Sequence, residues 1–222
     1  MGDFETVERG DKTIRLYAAG DDRPGAPGVL VLHPWWGLND DVVAYADRLA
    51  GEGFAVVAPD MFGGQVATTV EDAERLAKAA DEDAINGIVL TALDRLAERV
   101  GSDGKLGALG FSFGAHWAMW SPTQRDSVVA SVLYYGTTGD ALTETQVPVL
   151  GHFAADDPYE TDDWVAEFEG ILKSAGRDVT IHRYPGTGHW FAEPSRDAYR
   201  AEAADLAFDR TVNFLREQLA TV

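Results

Sequence analysis

Ser112 lies between two glycines in the stretch G-F-S-F-G (residues 110–114), at the end of an apolar run. A serine on a sharp turn from a buried strand into a helix is held in a strained conformation that exposes its hydroxyl, and small neighbours let the turn close. The helix N-terminus behind it favours the negative charge that develops during attack on a carbonyl. The stretch therefore predicts a nucleophile if a base and an acid follow along the chain; otherwise it is a tight turn without chemistry.

The best-placed base is His189, in the glycine-flanked loop of residues 184–194 between the last predicted strand and the last predicted helix. A solvated loop histidine is the alternative interpretation. The other four histidines are in poorer places. His182 and His152 lie within predicted strands, His116 follows Ser112 by one helical turn, and His33 ends the first buried strand, where we expect a supporting role.

Two carboxylates compete to orient that base. Asp156 and Asp157 both follow a buried strand and precede a helix, so they lie at the same edge of the sheet as Ser112 and His189. The acid in such a site accepts the imidazole N–H, sets the tautomer and stabilises the imidazolium. The residues alone leave both candidates open, and either could instead cap the following helix.

Strand and helix patterns alternate along nearly the whole chain. The pattern predicts an edge hairpin around residues 10 and 11, then strands at 28–33, 54–59, 106–111, 128–136, 147–154 and 179–185. It predicts helices at 39–53, 70–99 with a break near Asp81 or Gly87, 113–120, 161–176 and 196–219. Asn39 or Asp40 begins the first helix. This alternation is typical of a mostly parallel sheet with helices on both faces, and it predicts one α/β domain over residues 1–222.

The composition excludes several functions. With 37 acidic and 18 basic residues and a net charge of −19, the chain is a poor partner for nucleic acid or an anionic membrane. It contains no cysteine, which excludes disulfides and thiolate metal sites and fits a cytoplasmic location. No signal peptide or membrane span is predicted, and we expect no metal, no cofactor, and a monomer or small homo-oligomer.

Several aromatic residues flank the inferred catalytic positions and predict a tight substrate pocket: Trp35, Trp36, Phe111 and Trp190. No insertion long enough to form a lid follows any strand, so small substrates are favoured over lipids. We expect Trp117 and Trp164 to pack in the core, as most tryptophans of an α/β domain do.

In four stretches, the chain resembles the dienelactone hydrolase family, a compact branch of the α/β-hydrolases. These stretches are residues 31–64, 106–115, 150–159 and 184–194, and the resemblance extends from about residue 28 to residue 216. It implies an α/β-hydrolase fold without a lid, ester or lactone substrates and no cofactor. It assigns Ser112 as nucleophile, His189 as base and Asp157 as acid, with the backbone N–H groups of Phe113 and Trp35 as oxyanion donors.

The chain departs from the family pattern at three positions. Well-known members use a cysteine where this chain has Ser112, and a glutamate where it has Pro34. These two changes are consistent, because a hydroxyl is not stored as an anion and histidine can deprotonate it during attack. Where members that act on dienelactone have a carboxylate-binding arginine, this chain has Glu193, which we expect to repel an anionic substrate.

The sequence thus predicts a serine hydrolase that cleaves small neutral esters or lactones through an acyl-enzyme. Two alternatives stay open. One is a carboxymethylenebutenolidase that acts on anionic dienelactone; the other is a catalytically silent binding domain with the same fold.

Overall fold

The computed structural model describes residues 1–10, 12–101, 104–139 and 144–220. Its strands are β1 (Asp3–Arg9), β2 (Lys12–Ala19), β3 (Gly28–Leu32), β4 (Ala55–Pro59), β5 (Leu106–Phe111), β6 (Val128–Tyr134), β7 (Val149–Ala154) and β8 (Val179–Tyr184). Its helices are α1 (Asp40–Gly51), α2 (Val70–Ala79), α3 (Glu82–Val100), α4 (Ala115–Gln124), α5 (Asp162–Ser174) and α6 (Ala201–Leu219). A short 3-10 turn, Ser112–Gly114, leads into α4.

The eight strands form one sheet in the order β1-β2-β4-β3-β5-β6-β7-β8. β1 and β2 pair antiparallel, as do β2 and β4, and all remaining pairs are parallel. The predicted edge hairpin is confirmed; Gly10 follows β1 with φ at 64°, and Asp11 lies outside the described residues. The predicted α/β class with a mostly parallel sheet is therefore correct.

Helices cover both faces of the sheet. Side chains of β3 alternate between the faces, with Leu30 and Leu32 in one apolar cluster and Val29 and Val31 in the other. The first cluster includes buried residues of α2, α3, α4 and α5, and the second includes those of α1 and α6. The five residues of β3 are all buried, which explains the continuous apolar run in the sequence.

Side-chain caps decide where the helices begin. The side chains of Asn39, Thr69, Asp81 and Thr161 accept N–H groups from the first turns of α1, α2, α3 and α5. The predicted break in the long helical segment therefore lies at Asp81 and not at Gly87. Within the described ranges, every helix is too short or too polar to cross a bilayer.

The last helix begins later than its pattern predicts, at Ala201 and not at Arg196. The N–H of Arg200 bonds to the carbonyl of Phe191, at 3.0 Å, in place of a helical partner four residues earlier. This bond ties the segment to the loop after His189, so residues 196–200 follow that loop rather than the helix axis.

Candidate active site

The candidate site lies in the crevice where the direction of strand connection reverses. From β3 the chain moves to β4 on one side, whereas β5 pairs on the other side of β3. In open α/β sheets such a switch point opens a crevice outside the carboxyl ends of the strands. Ser112 directly follows β5, and Trp35 follows β3, so the two lie on opposite sides of this crevice.

Ser112 has a strained backbone, with φ at 46° in the left-handed region. This conformation costs a non-glycine residue about 1–3 kcal/mol and must be held by its surroundings. A Cβ atom at Gly110 would lie 2.3 Å from the carbonyl oxygen of Gly114, and one at Gly114 would lie 2.4 Å from that of Leu32. Both flanking glycines are therefore required for the turn to close, as the sequence pattern predicts.

The three predicted catalytic side chains meet in one hydrogen-bonded chain. The Oγ atom of Ser112 lies 2.9 Å from Nε2 of His189, and Nδ1 of His189 lies 2.7 Å from Oδ2 of Asp157. The side chains of His189 and Asp157 are 5% and 1% exposed. If Nδ1 donates to the carboxylate, Nε2 is free to accept the serine hydroxyl, which is the tautomer that a general base needs.

Asp157, and not Asp156, reaches the histidine. The second carboxylate oxygen of Asp157 accepts the N–H groups of Tyr159 at 2.9 Å and Glu160 at 3.1 Å. These two bonds orient the carboxylate independently of His189. Asp156 is exposed, and its backbone N–H bonds to the carbonyl of Thr187 at 3.0 Å. That bond joins the loop of Asp157 to the loop of His189.

The two predicted oxyanion donors flank the serine. Phe113 lies in the 3-10 turn, in the first turn of a helical segment, where N–H groups lack intrahelical acceptors. Trp35 follows β3 by three residues, and the close packing of Gly114 on Leu32 holds the nucleophile turn against the end of that strand. The backbone thus brings the two segments together, and the role of their N–H groups stays a prediction.

Three aromatic rings form a wall beside His189. The ring centroids of Trp35 and Tyr159 are 5.6 Å apart, those of Trp35 and Trp190 are 6.0 Å apart, and those of Tyr159 and Trp190 are 5.5 Å apart. Tyr159 also packs on the ring of His189, at 4.9 Å. Tyr159 was not among the predicted site residues, although its place two residues after Asp157 could have indicated it.

Two predicted pocket residues lie in the core instead. Phe111 is 2% exposed and packs against Tyr45 and Tyr134, because the last residue of β5 points into the layer under α1 and α6. Trp36 is also 2% exposed and supports Trp35 and Trp190 from beneath, so it does not line an open pocket. The assignment of Phe111 and Trp36 to substrate binding was therefore wrong.

The two tryptophans that we expected in the core, Trp117 and Trp164, differ in their exposure. Trp117 is buried as predicted, and its Nε1 donates to Asn86. Trp164 is 43% exposed, so the prediction for it was wrong. It lies in the first turn of α5, where its Nε1 donates to Thr137 at 2.5 Å.

Glu193 does not face the crevice, contrary to expectation. Its backbone N–H bonds to the carbonyl of Trp190, and this turn directs the side chain inward, where it is 2% exposed. Oε1 accepts the hydroxyl of Tyr135 at 3.0 Å, and burial raises the pKa of Glu193 to about 8. The charge argument against an anionic substrate therefore no longer holds.

His33 has a structural role beside the crevice. Its Nδ1 lies 2.7 Å from the carbonyl of Pro34, and its Nε2 accepts the N–H of Met61 at 3.0 Å. Burial lowers its pKa to about 4, so the ring stays neutral. His116 bonds to Thr138, at 3.0 Å. In the part of the chain that the structure describes, no three metal-ligating side chains converge.

Comparison with known proteins identifies the family of this chain. The model of the dienelactone hydrolase family matches residues 14–219. Protein usf of Aquifex pyrophilus is 33% identical, and a putative carboxymethylenebutenolidase of Aquifex aeolicus (strain VF5) is 30% identical; each alignment covers 99% of this chain and 100% of the relative.

Solved structures share the fold. A putative dienelactone hydrolase from Klebsiella pneumoniae subsp. pneumoniae MGH 78578 superposes with a TM-score of 0.87 over 98% of both chains, at 20% identity. A cold-adapted esterase from an Arctic intertidal metagenomic library superposes with a TM-score of 0.70 over 98% of this chain and 93% of its own, at 21% identity. The chain therefore belongs to the dienelactone hydrolase family and is a carboxylic ester hydrolase of the α/β-hydrolase fold.

Proposed function

We propose that this protein hydrolyses small carboxylic esters or lactones through an acyl-enzyme on Ser112. One observation carries the proposal: the continuous hydrogen-bonded chain from Ser112 through His189 to Asp157, at 2.9 and 2.7 Å. The order of nucleophile, acid and histidine along the sequence is that of other α/β-hydrolases.

Acylation begins when Nε2 of His189 takes the proton of Ser112 as Oγ attacks the carbonyl carbon. The carbonyl oxygen becomes an oxyanion held by the N–H groups of Phe113 and Trp35, a kind of interaction worth about 3 kcal/mol per donor in measured cases. Asp157 stabilises the imidazolium. His189 then gives its proton to the leaving alkoxide oxygen as the ester C–O bond breaks.

Deacylation repeats these steps with water. His189 takes a proton from the water, the hydroxide attacks the acyl carbon, and Oγ of Ser112 leaves with the proton from His189. With an ester the alcohol departs before this step. With a lactone the new hydroxyl stays on the acyl group, and the product is a hydroxy acid.

The surroundings of Ser112 favour small substrates. A cleft of about 300 Å³ lies between the junction of α2 and α3 and the start of α4, and Phe113, the residue after Ser112, contributes to its lining. Five of its seven lining residues are apolar, and two, Glu82 and His116, are ionisable: Ala77, Ala80, Glu82, Ile85, Phe113, His116 and Trp117. The acidic side chain of Glu82 at this cleft favours neutral over anionic acyl or alcohol groups.

A fluorophosphonate probe tests the nucleophile. We expect one adduct on the peptide that contains Ser112, hydrolysis of p-nitrophenyl acetate by the unmodified protein, and neither result with S112A. Intact mass spectrometry and circular dichroism would establish that the variant is folded. No adduct and no turnover in a folded protein would contradict the proposal and favour a silent binding domain.

Anionic dienelactone is the second candidate substrate. The 30% identical relative from Aquifex aeolicus is named a putative carboxymethylenebutenolidase, and the inward turn of Glu193 leaves no carboxylate from that residue to repel the substrate. Comparing kcat/KM for p-nitrophenyl acetate and dienelactone separates the two. A strong preference for dienelactone would replace the neutral-ester proposal.

The cellular setting stays a prediction. A chain without cysteine suits a reducing compartment, and we propose a cytoplasmic enzyme with a small-molecule substrate. Cell fractionation tests the location, and gel filtration with light scattering tests the predicted monomer or small homo-oligomer.

A further inference from the structure

Tyr135 lies between the nucleophile turn and the loop that carries His189. It follows β6 directly, with φ at 37° in the left-handed region, and its N–H bonds to the carbonyl of His152 at 2.8 Å. Its ring centroid lies 5.0 Å from that of His189 and 5.5 Å from that of Phe191. Tyr135 therefore supports the base from the sheet side.

Glu193 bonds to Tyr135 from the loop of His189, and we call this bonded pair of residues the clamp. Its Oε1 accepts the Tyr135 hydroxyl at 3.0 Å, and it follows His189 by four residues. Between them, Trp190 has φ at 67°, so the loop is held in a conformation that its residues disfavour. The Tyr135–Glu193 bond joins the end of this strained loop to β6, across the ring of His189.

The surroundings of Glu193 favour its neutral form. Asp41 and Tyr45 of α1 line a cavity of about 10 Å³ beside it, which holds at most one water molecule. Burial, the largest influence, and the negative charge of Asp41 favour the neutral acid, whereas the hydrogen bond from Tyr135 and the charge of Arg196 favour the carboxylate. The Arg196 guanidinium itself stacks over Trp36, 3.8 Å from the ring centroid. Oε2 of Glu193 has no partner among the described residues. Burying an ionised carboxylate with one oxygen that lacks a hydrogen bond costs more free energy than burying the neutral acid.

We propose that Tyr135 and Glu193 are positioning residues for the general base: the bond between the tyrosine hydroxyl and the neutral carboxyl group of Glu193 holds His189 within reach of Ser112. This proposal rests on the proposed function, because it assigns His189 as the base. It concerns the position of the imidazole and places neither residue in contact with substrate.

Ionisation of Glu193 should release the clamp. Burial raises the pKa of Glu193 from 4.5 to about 8 in the closed loop. A loop that exposes the side chain restores the lower pKa, so the closed loop binds the proton more tightly and is progressively disfavoured as pH rises from 4.5 to about 8. Activity should therefore fall on the alkaline side as the carboxyl ionises.

Four variants test the pair through kcat and KM for p-nitrophenyl acetate between pH 6 and 10, corrected for spontaneous hydrolysis. We expect Y135F and E193A to lower kcat about tenfold at pH 7 with little change in KM, because a displaced base slows the chemical step. E193Q keeps the acceptor but cannot ionise, so it should restore most of that loss and remove the alkaline decline. Y134F is the matched control: its buried hydroxyl bonds to Tyr45 and Thr211, and it should leave the pH profile unchanged.

Proton NMR supplies a readout without substrate. The downfield resonance of the proton between His189 and Asp157 should broaden as pH rises toward 8 in the unmodified protein and persist in E193Q. An alkaline decline that E193Q retains, or a Y135F defect no larger than that of Y134F, would overturn the clamp. Absence of esterase activity and fluorophosphonate labelling in every form would instead contradict the proposed function, while the NMR titration would still test the clamp.

Discussion

Two buried histidines of this molecule differ in the partners of their rings. His189 is 5% exposed and lies between Ser112 and Asp157, whereas His152 is 0% exposed and lies between the hydroxyls of Tyr184 at 2.8 Å and Thr211 at 3.0 Å. In each ring both nitrogens are bonded. Burial and complete hydrogen bonding therefore do not distinguish a candidate base from a structural histidine.

The two histidines differ in that the ring of His189 contacts a carboxylate, that of Asp157, whereas the ring of His152 bonds to hydroxyls. Burial lowers the pKa of His152 well below its usual value, and the nearby His182 and Arg210 lower it further. Its hydroxyl partners offer no negative charge, so a proton on His152 would be a buried, unpaired charge. Asp157 can stabilise a proton on His189 at the moment of attack. A general base in this fold needs both a hydroxyl to deprotonate and a carboxylate behind it.

Replacing His189 should have the largest effect. We expect H189Q to lower kcat/KM by roughly 10⁴ to 10⁶-fold, because it removes the proposed general base. Thermal unfolding should change little by comparison. Steady-state kinetics with p-nitrophenyl acetate measure the loss, and H152Q should cost less than about tenfold in the same assay. A larger activity loss in a folded H152Q than in H189Q would reverse the comparison.

The second-largest effect on activity should come from replacing Asp157, the proposed acid. We expect D157N to lower kcat by roughly 10⁴-fold, since an amide cannot hold the required tautomer or stabilise the imidazolium. The adjacent carboxylate provides the control, because Asp156 is exposed and D156N should change kcat by less than about twofold. Equal losses in the two variants would indicate that the overall negative charge of the loop, and not the contact with His189, matters.

A third effect should appear in stability and not in activity. We expect H152L to lower the free energy of unfolding by about 1–3 kcal/mol, because it leaves the buried hydroxyls of Tyr184 and Thr211 without their histidine partner. Urea unfolding measures this cost. H182L, at a partly exposed neighbour on β8, should cost less. If kcat/KM of H152L fell by several orders of magnitude, His152 would not be merely structural.

The smallest effect concerns acid stability. Burial lowers the pKa of both His152 and His33 in the folded protein, so below about pH 6.5 the unfolded chain binds more protons. Each histidine should then reduce stability by up to about 1.4 kcal/mol per pH unit as pH falls. Urea unfolding at pH 7, 6 and 5 should show a shallower slope for H152L than for the unmodified protein. Glu193 acts in the opposite direction in both proteins, and equal slopes would contradict the assignment.

The sequence by itself predicts the chemistry of the site because the necessary signals are local. The glycines on either side of Ser112 permit one kind of strand-to-helix turn, and the ends of parallel strands bring Asp157 and His189 to the same edge. The choice of Asp157 over Asp156 came from the family resemblance, and the contact with His189 agrees with it. Helix caps were also predictable to within one or two residues, since Asn39 and Thr69 act on the adjacent turn.

Only the tertiary structure decided where the side chains around that chemistry point. Phe111 and Glu193 lie one and four residues from Ser112 and His189 along the chain, yet both turn into the core, and Tyr135 reaches His189 from a distant strand. Which side of a strand end or loop faces the crevice depends on the layers packed against it, and hydropathy along the chain does not record that choice. The same packing leaves His189 with a carboxylate and His152 with hydroxyls alone.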